Sequence, residues 1–584
     1  MLRQQGTGPH HGETPLVLTP PPLARRRLLR VLPLAICLLS LLAFLPALQA
    51  GFVNWDDTAN LLNNPHFRGL GWTQLTWMFT TTLMGHYIPL TWLSLGVNYA
   101  LGGMEPRGYH LGNLLLHAAN AGLFYLVARR LLAAGFATRA ESVAWGAAVS
   151  ALVFGVHPLR AESVAWVTER RDVLCGLFYL LAVLAYLRGV EGGGRIRRRW
   201  RALSCLAFGA ALLSKAMAMT LPATLLLLDL YPLRRTGLGW KALLREKAPY
   251  AGLGLLGAAA AVVALSRGAT VTGYGEYGLA ARVALVGYTP WFYPRAMLWP
   301  VGLSPLYEIP GWVNPVEWRF LGPMVAVALT TAILVALRRR WPAGLAAWAH
   351  SAIVLLPVSG IVHAGYQLAH DRYSYLSGLG FALLAGAALV WTAGAARAGR
   401  VAPWVPRALA VAAALAVLGW GAGAWRQTRI WQSSESLWQA ALAADPECAL
   451  CNNNMGAAIV RSRQAGPAPL RLAEAHFRYA ILLRPERADP YHNLGALLAG
   501  QKRYHEAEWA LRTYMRLSPA APDGPLRLGM LYADQGRYAE AIESLDRALQ
   551  LRAEYPEARA ERGRALSALR ETDPARAEPL THRR

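Results

Sequence analysis

The chain has 584 residues, 54% hydrophobic and 16% charged, with a formal net charge of +25 at neutral pH. Its apolar residues run together over the first three quarters, which is a membrane composition rather than that of a soluble enzyme. The arginines cluster between those runs without a basic helix, zinc spacing or RNA-binding signature, which argues against nucleic acid as a partner and reads as a topology signal.

Residues 1–24, rich in Pro and Gly, are read as a disordered tail. Arg25, Arg26, Arg27 and Arg30 flank an apolar run from Leu28 to Ala50, about the 20 residues needed to cross a bilayer, taken as a retained first span rather than a signal peptide. The arginines place the N-terminus in the cytoplasm and residues 51–110 outside. Further spans are predicted near 111–132, 143–157, 172–188, 202–214, 218–231, 249–266, 321–337, 343–361, 374–393 and 405–425, making about eleven. With this topology the basic clusters at Arg129–Arg130, Arg188–Arg201, Arg234–Lys247, Arg338–Arg340 and Arg397–Arg400 all face the cytoplasm. A full crossing by 282–301, interrupted by Pro290, Pro294, Arg295 and Pro300, would invert every later cluster. It is therefore read as re-entrant or lying along the outer interface.

From about 432 the pattern turns to mixed-charge helices with a period of about 34 residues, typical of tetratricopeptide repeats. Leu494-Gly495, Tyr504, Ala507 and Pro519 recur as Leu528-Gly529, Tyr538 and Ala541, Gly563 continues the phase, and an earlier unit carries Met455-Gly456, Ala473, Ala480 and Pro485. Small residues at these positions let paired helices approach, and the prolines end each second helix. Cys448 and Cys451, whose C-x-x-C spacing could also hold a redox disulfide, are read as two small residues opening a repeat helix. The domains are then a tail to residue 24, a membrane domain over 25–430, repeats over 431–570 and a polar tail over 571–584. The fold class is all-α, a polytopic helical membrane domain followed by an α-solenoid.

Common catalytic patterns contribute little. Gly252, Gly254 and Gly257 match G-x-G-x-x-G inside an apolar span, where helix packing explains them. No D-x-D pair is present, which disfavours a metal-dependent transferase using a nucleotide sugar, and no metal or cofactor is assigned. The unusual polar residues gather instead past the outer ends of spans, in three loops. The first holds Asn54, Asp56 and Asp57, followed by His86. The second holds His157, Arg160, Glu162, Glu169, Arg170, Arg171 and Asp172, whose outward arginines either hold a phosphate with planar guanidinium forks or pair internally with the acids. The third holds His370, Asp371, Arg372 and Tyr373, with His363 and Tyr366 before it. Lys215, between two short spans, either snorkels or adds charge to the same anion site.

Phe52–Asp57, the Tyr109–Asn120 segment, the His157–Asp172 loop, Ser214-Lys215, Asp371-Arg372-Tyr373 and the C-terminal repeats together resemble the transmembrane and tetratricopeptide-repeat-containing (TMTC) protein O-mannosyltransferases and their bacterial relatives. That resemblance implies a GT-C membrane fold, a polyprenyl-phosphate sugar donor, inverting transfer to protein hydroxyls, and repeats on the outer side. It places the catalytic acidic motif at Asp56 and Asp57 without choosing between them.

The expected site therefore has one of those carboxylates as general base. His157, Arg160, Arg170, Arg171, Lys215 and Arg372 hold the donor phosphate, and Glu162, Asp172, His86, Asp371 and Tyr373 support them. The expected partners are the lipid donor, the bilayer, and a protein acceptor or partner on the repeats. The expected place is the bacterial inner membrane with the repeats in the periplasm. A lipid or glycan acceptor, or a non-catalytic scaffold, are the alternatives. Since no candidate catalytic residue lies beyond the third loop, the repeats are expected to be separable from the chemistry.

Overall fold

The structure is a computed structural model that describes residues 23–267, 278–360, 367–462 and 466–573, with 575 and 577. Most of the two expected tails, together with His363 and Tyr366, lies outside the described residues. The long helices of the membrane part are α1 (Leu23–Ala43), α2 (Pro106–Gly135), α3 (Ala140–Gly155), α4 (Arg170–Glu191), α5 (Gly194–Leu212), α6 (Leu221–Leu230), α7 (Trp240–Arg267), α8 (Leu279–Leu298), α9 (Trp318–Ala336), α10 (Pro342–Leu355), α11 (Leu379–Arg397) and α12 (Val405–Arg429). Two short strands, β1 (Tyr307–Glu308) and β2 (Gln367–Ala369), pair antiparallel.

Among the described residues six helices are long and apolar enough to cross a membrane, or seven if α3 and Pro158–Ala165, bent by 55°, make one span. The chain is thus a multi-pass membrane protein, with fewer full-length helices than the eleven spans expected. The difference has local causes. Ala216–Leu230 and Pro342–Val358 are shorter apolar helices, opened by the Lys215 turn and by Pro342. The first half of α5 is spent on Arg195, Arg197, Arg198, Arg199 and Arg201.

α8 runs unbroken through Pro290 and Pro294. Its first half packs with Ile309, Val313 and Phe320, and its second half with Leu159 and Ala369. Both halves therefore pack on the segment that runs from Leu303 to Phe320, and the second half also on the turn after α3.

Small residues set the closest helix approach. A Cβ on Gly146 of α3 would come within 2.8 Å of the Gly386 carbonyl of α11, so backbone meets backbone there. Gly254 and Gly257 likewise press against the Met219 carbonyl and Leu212, which makes them packing positions.

The repeats form α13 (Ser434–Ala444), α14 (Ala449–Arg461), α15 (Pro467–Leu483), α16 (Asp489–Gly500), α17 (Tyr504–Leu517), α18 (Asp523–Asp534), α19 (Tyr538–Leu551) and α20 (Pro556–Thr572). Gly456, Gly495 and Gly529 recur against the carbonyls of Ala473, Ala507 and Ala541, at 3.0, 3.4 and 3.1 Å from a Cβ built on each glycine. Cys448 and Cys451 do open α14, as read, but they are also joined in a disulfide.

Packing does not break at residue 430. Trp431, Leu437, Trp438 and Cys451 belong to the same core as α2 to α4, whereas the later repeats form a core of their own. A buried clamp ties the two parts. Glu308 of β1 lies 2.6 Å from Arg487 and caps α14 by accepting the Ala449 N–H at 2.7 Å, while Arg484 donates to the Ile309 carbonyl at 3.2 Å.

At the opposite end of the bundle Asp229 is fully buried, accepting from Tyr186 Oη at 2.6 Å and Arg235 at 2.9 Å and pairing with Lys247. Removing one member of a buried ion pair strands its partner and costs about 3–5 kcal/mol. Asp229→Ala should lower the unfolding free energy of the detergent-solubilised protein by that order, and Tyr186→Phe by much less. Denaturant titration followed by tryptophan emission checks the ranking.

Candidate active site

The Tyr109–Asn120 stretch of α2 is a socket for the loop that follows α3. Asn113 donates to the carbonyls of Val164 and Trp166 at 3.2 and 3.1 Å, and Asn120 donates to Val173 at 2.8 Å. His117 bridges Tyr375 Oη and the Gly155 carbonyl, both at 2.9 Å. Arg170 fills the same socket, bonded to Asn113 and to the Tyr109 carbonyl at 2.7 Å, and lies over Gly112 where a side chain would collide. These helical positions fix the start of α4, and with it Glu169, Arg171 and Asp172.

Glu169 is fully buried and lies among three cations. Arg171 Nε donates to it at 3.0 Å, Lys215 Nζ donates at 3.1 Å, and Arg372 Nε lies 3.1 Å away. Outer carboxylates complete the set. Asp172 accepts from Lys215 at 2.6 Å and from Ser163 at 3.2 Å, while Glu162 accepts the Arg372 N–H at 2.9 Å and pairs with its guanidinium. Arg372 also lies over the rings of Trp166 and Tyr373, 5.4 and 5.2 Å from their centroids. His370, 3.1 Å from Glu162, is held below its ordinary pKa by burial and then by Arg372.

Asp56 and Asp57 begin the one-turn helix Thr58–Leu62 and point apart. Asp57 is enclosed, accepting from Val53 N–H at 3.2 Å, Thr168 N–H at 3.1 Å and Thr168 Oγ1 at 2.6 Å. Burial lifts its pKa to about 7 against those bonds. Asp56 keeps 26% of its side chain exposed and lies 3.9 Å from Arg171. Desolvation raises its pKa, and Arg171 and Arg372 oppose the rise. His86 is exposed, and desolvation followed by Arg171 lowers its pKa to about 3, so it is neutral near pH 7.

The structure thus gathers Asp56, Asp57, His86, Glu162, Arg171, Asp172, Lys215 and Arg372 in one basin. Arg160 and His157 are turned elsewhere. Arg160 donates to Ser374 Oγ at 2.6 Å and to the Phe154 carbonyl at 3.3 Å, with its guanidinium 5.1 Å from the Phe154 ring centroid. His157 bridges the Met297 carbonyl at 2.9 Å and the Leu159 N–H at 3.2 Å. Arg170 sits in the α2 socket. Asp371 accepts from Tyr307 Oη at 2.9 Å, and burial and then repulsion by Glu162 push its pKa well above the carboxylate range.

Sequence reasoning underrated Glu169, which is the centre of the charges, and missed Thr168, Tyr307 and the repeat residues that touch the first loop. Asn54 donates to the Asn454 carbonyl at 3.0 Å, accepts from Trp438 Nε1 at 2.6 Å, and its N–H donates to Ser434 Oγ at 2.8 Å. Trp55 packs edge-on to Trp438 at 5.1 Å and lies 6.3 Å from Trp166, which stacks on Trp431 at 5.4 Å. The Glu169-Arg170-Arg171-Asp172 run carried a signal, whereas contacts 380 or 400 residues apart did not.

A family model described as TPR repeat matches residues 529–569. The chain is 34% identical over 206 residues to Protein O-mannosyl-transferase TMTC2 of Homo sapiens, covering 34% of this chain and 24% of that protein. It is 36% identical over 192 residues to Protein O-mannosyl-transferase Tmtc1 of Drosophila melanogaster, covering 31% and 21%. With Protein O-mannosyl-transferase TMTC4 of Mus musculus the figures are 32% over 205 residues, covering 32% and 28%. The matched part spans about a quarter of the length of these curated relatives. The chain is an all-α membrane protein that carries tetratricopeptide repeats and is similar, over about a third of its length, to proteins named as TMTC O-mannosyltransferases.

Proposed function

We propose that this protein is a GT-C-type membrane glycosyltransferase that moves a sugar, mannose by analogy with its relatives, from a polyprenyl-phosphate carrier to a Ser or Thr hydroxyl of a protein. The reaction takes place on the periplasmic face of a bacterial inner membrane. The observation that carries this reading is the split between the paired carboxylates. Asp57 is consumed by three hydrogen bonds, while Asp56 stays partly exposed beside a cluster of three cations.

In this reading Asp56 takes the acceptor proton as the hydroxyl attacks the anomeric carbon, and its raised pKa makes it a better base than a solvated carboxylate. Arg171, Lys215 and Arg372 offer the donors left over from Glu169, Glu162 and Asp172 to the departing phosphate, where fixed charges in a dry site stabilise developing charge best. Arg160 and Arg170 support the walls of the basin. An apolar pocket in the bundle, open on one side, is lined by residues such as Phe124, Tyr179, Leu227, Ala347 and Leu383. Leu379, on its wall, is seven residues past Arg372 in the chain. A lipid tail fits that surrounding, and the repeats present a concave surface to an extended acceptor.

Asp56→Asn keeps shape and removes the base, so transfer measured by product mass spectrometry should fall by about two to four orders of magnitude with donor binding retained. Asp57→Asn should keep most of the chemical rate but loosen residues 53–57, read as faster amide exchange there. Near-normal transfer by Asp56→Asn in properly inserted protein overturns the assignment. Because Asp56 must be deprotonated, the rate should rise with pH through a value above the ordinary carboxylate pKa of about 3.9 and then level off. His86, already neutral, adds no limb in that window. A rate that falls across it would contradict the role given to Asp56.

A further inference from the structure

We infer that residues 298–318, the lobe between α8 and α9, are a foot embedded in the lipid surface of the leaflet beside the active site, and that this foot seats the repeat domain. The lobe has two unlike sides. Inward, Ile309, Val313 and Phe320 are buried with Ala284, Leu285 and Leu368. Outward, Leu298, Trp299, Val301, Trp312, Val316 and Trp318 are all largely exposed, Trp312 and Trp318 at 78% and 80%. So many large apolar groups on one short segment make a patch that water does not tolerate uncovered.

Lipid is the occupant the surroundings favour. Large apolar residues are also exposed on α8, at Leu279 and Val283, and on α9, at Leu321, Val325 and Leu329. α9 is a candidate span with only 11% of its apolar window buried, so its outer side already requires a bilayer. Three tryptophans at the ends of two adjoining helices and in the turn between them suit the headgroup level, where an aromatic body and an indole N–H are both accommodated. Arg319, exposed beside them, can reach the phosphates.

The same lobe reaches both functional parts. Tyr307 bonds Asp371 at the mouth of the basin, and Glu308 and the Ile309 carbonyl hold Arg487 and Arg484 of the repeats. A foot fixed in depth therefore fixes the height of the repeats above the membrane and keeps the basin at headgroup level. The inference rests on the membrane reading but not on the proposed chemistry, so it survives or fails separately from the role of Asp56.

The test uses the full chain in nanodiscs of phosphatidylethanolamine and phosphatidylglycerol, with Trp312→Cys or Val316→Cys carrying a bimane label. Val325→Cys on α9 serves as the lipid reference and Glu543→Cys on α19 as the water reference, with the unsubstituted chain giving the labelling background. Labels at 312 and 316 should be quenched by lipids bearing a shallow nitroxide, as at 325, and be several-fold less sensitive to aqueous iodide than the label at 543. Iodide quenching equal to that at 543 would put the lobe in water. Protection from both quenchers would mean that protein covers it. Either result overturns the proposal.

Discussion

The two oxygens of Glu169 are shared among Arg171, Lys215 and Arg372, drawn from the start of α4, the turn before α6 and the turn before α11. A carboxylate taken wholly out of water costs several kcal/mol unless it is paired, and so does each cation. None of the four charges can leave the arrangement without stranding the others. Three outlying segments are thereby held in one geometry, with Glu162 and Asp172 fixing the far sides of Arg372 and Lys215. Such a cluster is a poor way to gain stability and a good way to hold positive charge at a chosen point before a ligand arrives.

The aromatic column of Trp438, Trp55, Trp166 and Trp431 does the corresponding job for the first loop. One of its members lies beneath Arg372, and its ends belong to the repeat region. Asn54, two residues before Asp56, bonds the repeat groups Ser434, Asn454 and Trp438. The first repeat unit is therefore part of the wall behind the carboxylate pair. Removing everything after residue 430 would expose Trp55 and Trp166 and release Asn54. The separability expected from the absence of chemical residues in the repeats does not suit this geometry.

The helical membrane class, the repeat phase and the three polar loops were legible because each leaves a local mark: apolar runs, Gly and Ala at fixed spacing, and charges where charges are costly. Asp57 and Asp56 could not be told apart, because their difference comes from Thr168, more than 100 residues away. Arg160 looked like a phosphate ligand for being an outward arginine, yet Ser374 and the Phe154 ring claim it. Arg170 is claimed by Asn113. The C-x-x-C spacing of Cys448 and Cys451 left a disulfide open as the second reading, because spacing alone does not distinguish a pair from two small residues.

The account is tested most directly by a cryo-electron microscopy structure of the full chain in nanodiscs loaded with a polyprenyl-phosphate sugar. It expects the phosphate within hydrogen-bond reach of at least two of Arg171, Lys215 and Arg372, and the anomeric carbon turned toward Asp56. A donor phosphate bound instead at the Asp229 and Lys247 end of the bundle, or against Arg160 with Asp56 remote from the sugar, would contradict it.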